Sequence, residues 1–116
     1  MKFSTVVAIV NEEHEDLAID IAKANGAGGV TILNGRGLGL GDKTTFFGLT
    51  YERSDSVLIF IMEERSALKV IKAITQELDL EKSGNGLVFS LPIEHLSGIP
   101  DKQIRKFQEN ENNFNG

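Results

Sequence analysis

Val6-Val7-Ala8-Ile9-Val10 is apolar at five successive positions. Successive side chains of a strand point to opposite faces, so a run without alternation needs cover on both sides of its sheet. Residues 3–10 read as such a central strand, and residues 57–62 repeat the pattern as Val-Leu-Ile-Phe-Ile-Met. Any fold proposed for this chain must bury both faces of these two strands.

The segments between them are helical. Asn11 is placed to cap a helix whose first turns carry Glu12, Glu13, Glu15 and Asp16, carboxylates suited to the positive end of the helix dipole. Leu17, Ile21 and Ala24 recur at helical spacing, and Asn25-Gly26 supplies a stop. Residues 28–33 read as a second strand. Ala67, Ile71, Ile74 and Leu78 form the seam of a second helix, with Lys69, Lys72 and Glu77 off it. Residues 87–93 read as a fourth strand, closed by Pro92. The order β-α-β-loop-β-α-β predicts an α+β, ferredoxin-like sandwich: an antiparallel sheet with two helices on one face. Two helices cover one face only. The other is expected to be buried against sister subunits.

With 116 residues the chain suggests a single domain, placed at 1–100, and residues 101–116 read as a polar, flexible tail with Phe107 and Phe114 as its aromatics. The net charge of −5 argues against nucleic acid as a partner. With no cysteine, disulfides and thiol catalysis are excluded. The N-terminal sequence shows no apolar stretch long enough for a signal or span, so the expectation is a cytoplasmic protein without direct membrane insertion.

Gly35, Gly37, Gly39 and Gly41 alternate directly after the β-branched run Val30-Thr31-Ile32. Neither the Rossmann nor the P-loop spacing is present, and no helix follows. The cluster reads as the root of a long adaptable loop, about residues 37–56, expected to order on a partner. Phe46, Phe47 and Tyr51 are its aromatics, and exposed aromatics are favoured interface anchors. Arg36, between two glycines, is suited to an anionic ligand approached by backbone N–H groups; a solvated arginine at a strand end is the alternative. Gly84-Asn85-Gly86 offers either a nest for phosphate or a tight helix-to-strand turn. His14 and His95 stand apart from other strong ligands, and no catalytic grouping is present. An enzyme is not expected.

The chain resembles the PII-type, nitrogen-regulatory signalling family over roughly residues 1–98. Gly35, Gly37, Gly41, Gly48 and Tyr51 match the glycines and tyrosine of that family's T-loop, and Lys82-Ser83-Gly84-Asn85-Gly86 resembles its B-loop. The departures are specific. Asn85 and Leu87 stand where the family has aspartate and lysine, Gly39 replaces a glutamine, and residues 98–100 lack the family's two arginines. The resemblance implies a homotrimer that binds a small effector between subunits. Gly35, Arg36, Gly37, Gly39, Lys82, Gly84, Asn85 and Gly86 would line that cleft, and an adenine nucleotide (ATP, ADP or AMP) is the candidate effector. It further implies a target protein, such as a membrane transporter or metabolic enzyme, engaged through Phe46, Phe47 and Tyr51. The alternative is a ligand-independent interaction module that has lost the nucleotide site.

Overall fold

Burial alternates along β1 (Phe3–Asn11), and the alternation reports two faces with different cover. Val6, Ala8 and Val10 are fully buried, whereas Thr5, Val7 and Ile9 are half-buried. A computed structural model describes residues 1–37, 45–46, 49–50, 53–82 and 85–115, with side chains for 1–37, 54–82 and 85–109. After β1, a short 3-10 turn at Glu12–His14 leads into α1 (Glu15–Ala24). β2 (Thr31–Gly37) follows, then the two-residue strands β3 (Thr45–Phe46) and β4 (Leu49–Thr50), which pair with each other. The chain continues through β5 (Arg53–Glu63), α2 (Glu64–Glu77), β6 (Gly86–Pro92) and α3 (Asp101–Asn115). The main sheet has the order β2-β5-β1-β6 with antiparallel pairing throughout. This is the expected α+β, ferredoxin-like arrangement.

The residues opposite Val6, Ala8 and Val10 on β5 are Phe60, Leu58 and Ser56. Leu58, Phe60 and Met62 join β1 in one core with Ala18, Ile21 and Ala22 of α1 and Ala67, Val70 and Ile74 of α2. The small side chains of Ala18 and Ala22 turn to the sheet, so the seam of α1 differs from the expected one and Leu17 stays 44% exposed. Asn11 does not cap a helix. It ends β1, and its amide donates to the Glu13 carboxylate at 3.3 Å. The cap of α2 is Glu63, whose carboxylate accepts the N–H groups of Arg65 and Ser66 at 3.0 and 3.3 Å. The stop of α1 is as expected: Asn25 follows its last residue, and Gly26 takes a left-handed φ of 104°.

β2 starts at Thr31 rather than residue 28, and both boundaries beside the loop move as well. β2 runs on through Gly35, Arg36 and Gly37, and β5 starts at Arg53, because Arg36 pairs with Ser54 and Gly37 with Arg53. The connection between the two long strands is therefore 38–52 rather than 37–56. Polar residues hold strand geometry here because the ladder carries the stem past the last apolar residues.

The polar segment read as a flexible tail is a helix. Its first turn closes on the Pro100 carbonyl, which accepts the N–H groups of Gln103 and Ile104 at 2.9 and 3.2 Å. Ile104 and Phe107, one turn apart, face the protein. Phe107 is 4% exposed and meets the ring of Phe3 edge-to-face, with centroids 5.4 Å apart and planes at 74°.

Register gives the second face of the sheet: Thr5, Val7 and Ile9 of β1, Val57, Ile59 and Ile61 of β5, Leu33 of β2, and Leu87, Phe89 and Leu91 of β6. Neither α1 nor α2 lies on this side. Leu33 is 51%, Phe89 37% and Leu91 55% exposed.

Candidate functional site

The two segments singled out in the sequence meet the same end of the sheet. Gly86 pairs with Val10, Val10 with Ser56, and Ser56 with Asn34, so one row of residues crosses all four strands. The next row holds Asn11, Asp55 and Gly35, and Arg36 with Ser54 lies one step beyond. The loop base belongs to one edge strand and the 82–86 turn enters the other. Three strand spacings separate them, roughly 14 Å. Within one copy they share an end and not a pocket.

The stem of the loop is pinned by buried polar contacts. Ser56 is fully buried and its hydroxyl donates to the Glu15 carboxylate at 2.7 Å, which ties β5 to the first turn of α1. Asn11 and Asp55 are 7% and 2% exposed and sit opposite each other in the β1–β5 ladder. Buried polar residues at a strand end hold a rigid root for whatever the connection carries. The sequence reading missed Asp55 and Ser56, counting them as loop. Their signal was position: two residues before an apolar run that needs both faces covered.

Arg36 and its flanking glycines do not converge on one side. In a strand, alternate residues face oppositely. Gly35 and Gly37 lie on the open face, whereas Arg36 shares the helix-side face with Asn34 and Ile32. Arg36 is exposed. Gly35 has ordinary room, since a Cβ there would meet only Val57 at 3.8 Å. Close approach of a ligand is therefore not what its local packing demands.

At the other edge, three candidates already have structural roles. The Asn85 amide donates to the carbonyls of Leu78 and Asp79 at 3.1 and 2.9 Å, closing the C-terminal end of α2. Lys82 lies 3.2 Å from the Asp79 carboxylate in an exposed pair. Gly86 takes φ 122°, and a Cβ at this position would fall on the Ile9 carbonyl, so glycine is required by the join of β6 to β1. Gly39, Gly84, Phe47 and Tyr51 lie outside the described residues, and of Phe46 only the backbone, in β3, is described.

Charge at this end is unevenly placed. Glu12, Glu13, Glu15 and Asp16 crowd the turn before α1 and its start. Among the described side chains of the loop base and the 82–86 turn, Arg36 and Lys82 carry positive charge. An anionic ligand would depend on them to offset the carboxylates. Among the described residues no group of three metal-ligating side chains gathers, and no helix is long and apolar enough to cross a membrane.

A four-stranded antiparallel sheet with α1 and α2 on one side recurs in known proteins. The model of the nitrogen regulatory protein P-II family matches residues 3–103. The chain belongs to the P-II family. That family consists of signalling regulators, not enzymes. No curated protein matches the sequence significantly. Among solved structures, the chain is similar to CPII from Thiomonas intermedia K12, determined bound to ADP, AMP and acetate. The match has 20% identity and a TM-score of 0.62, and covers 87% of this chain and 93% of that one. It is similar to the B. subtilis GlnK–ATP complex at 14% identity and a TM-score of 0.64, covering 79% and 82%. A PII-like signalling protein from Thermus thermophilus matches at 20% identity and a TM-score of 0.57, covering 80% and 89%. At such identities these structures speak for the fold.

Proposed function

We propose that this P-II family signalling protein works as a cytoplasmic homotrimer that binds an adenine nucleotide in the clefts between subunits. The β2 end of one copy, with Arg36, would face the 82–86 turn of the next. The observation that carries this reading is the placement of the two segments. They lie at one end of the sheet and on opposite edges, so a single copy cannot close them on a ligand, whereas copies packed through their open sheet faces can set the β2 edge of one beside the β6 edge of the next. The ADP-, AMP- and ATP-bound similar structures support the choice of ligand class. Occupancy would bias the connection 38–52 between conformations that do or do not engage a target protein. A membrane transporter or a metabolic enzyme is the target class we favour.

A second reading has its own observation. Asn85, Lys82 and Gly86 are each accounted for by contacts within the subunit, which is what a module without an effector would retain. Calorimetric titration with ATP, ADP and AMP separates the two. The effector reading expects binding that Arg36→Ala weakens by the loss of one charge-assisted contact, about 1.5–3 kcal/mol or roughly ten- to a hundredfold. A trimer that takes up none of the three nucleotides would leave the effector-free module standing.

A further inference from the structure

One end of the open sheet face has two claimants. Phe3, Thr31, Ile59 and Ile61 share the face of Val7, Ile9, Leu33 and Leu91 by register. α3 lies over that end, its Phe107 ring edge-on to Phe3 and its Gln103 amide resting where a Cβ on Gly28 would stand. The seat is not closed. A hollow of about 320 Å³ is left beside the helix, lined among others by Thr31, Ile59, Ile61 and Phe107. Of the described side chains of α3, Phe107 alone is buried, and Gln103 and Ile104 are half-buried. Asn110, Asn112, Asn113 and Asn115 are poor helix formers, so this helix depends on its docking to stay formed. Residues 94–100 lead to it without helix or strand, and Gly98 takes φ 95° with open space around it.

A helix is about 10 Å across, and packed sheets stand about 10 Å apart. α3 therefore fills the layer that a neighbouring sheet would need. We infer that α3 is a self-docked cover of the assembly surface: held in cis by Phe107 on Phe3, it blocks that end of the face and leaves it, turning about Gly98, when another copy packs across. This rests on the reading of the open face as the surface between subunits. Assembly and undocking of α3 are then linked, and a molecule that captures α3 would favour assembly.

Hydrogen exchange of the full-length protein across a dilution series tests the link. The α3 amides are expected to exchange at least tenfold faster in the assembled state than in the dissociated one. Phe107→Ala is expected to associate about ten- to a hundredfold more tightly per subunit, because burial of one Phe no longer opposes it. Assembly with α3 equally or better protected, or a Phe107→Ala variant that associates no more tightly, overturns the cover while the trimer stands. Absence of association in both proteins overturns the trimer and the cover together. Should Phe107→Ala not fold, the exchange series on the unaltered chain decides alone.

Discussion

The two faces of β1 carry nearly the same chemistry and meet different surroundings. Val6, Ala8 and Val10 are shut under α1 and α2; Val7 and Ile9 lie half-buried on a face where α3 reaches only one end. Composition states that both sets need cover. Topology decides which cover comes from nearby in the chain. Each of the first two helices follows a strand and returns over the sheet, so the helix side is closed by local connections. Among the described residues the other side has no such crossover. Its cover comes from a helix outside the β-α-β-β-α-β unit and, in the proposed trimer, from other copies.

The largest effect expected is on the helix side. Phe60 is 1% exposed at the centre of the core, so Phe60→Ala should cost about 3–5 kcal/mol of unfolding free energy in denaturant titration. The loss should appear at every protein concentration. A loss confined to dilute samples would mean that assembly, rather than this core, holds the subunit together.

Leu91→Asp probes the other face. Leu91 is 55% exposed in the single subunit, so stability of the dissociated chain should change by less than about 1 kcal/mol. Association should weaken by about 2 kcal/mol per subunit, roughly thirtyfold, since a carboxylate would be carried into an apolar contact. Light scattering over a concentration series reads both. Unchanged association would remove β6 from the subunit interface.

How much of this was legible in the sequence follows the same division. Residues 57–62 and the run at Val6 announced buried strands because continuous apolar residues leave few other readings, and an antiparallel sheet with two helices on one face followed from two short crossovers. β2 was misjudged at its end because glycines carry no propensity for a ladder, although Gly35 and Gly37 pair in one. α3 was missed for a different reason. Its asparagines argue against a helix, and what overrides them is tertiary: Phe107 against Phe3, far apart in sequence. Ile104 and Phe107 at helical spacing were the available signal. At the candidate site, residue types suggested ligand roles for Asn85 and Gly86, while their partners, the end of α2 and the Ile9 carbonyl, become visible only once β6 lies beside β1.

Gly86 sharpens the comparison at the sheet's edge. It shares the helix-side row with Val10, and its φ of 122° and the nearby Ile9 carbonyl both oppose a side chain. Gly86→Ala should cost about 1–3 kcal/mol of stability, read as a lower Tm, whether or not nucleotide is present. If stability is unchanged and only nucleotide affinity falls, the glycine serves a ligand rather than the ladder.

Lys82 belongs to neither face, and its expected effect is the smallest. Its ammonium pairs with Asp79 while the two side chains remain 75% and 58% exposed, so water screens most of their attraction. Lys82→Ala should therefore shift stability by less than about 0.5 kcal/mol, within the error of a thermal melt. That near-silence is what makes the position informative. A residue whose only work is an exposed pair should be silent in nucleotide titration too. One that crosses to a neighbouring copy to meet a phosphate should lose roughly tenfold in affinity with the Tm unmoved. If both readouts stay flat, Lys82 joins Asn85 and Gly86 among residues explained within the subunit, and Arg36 is left as the described cation on which an effector site would have to rest.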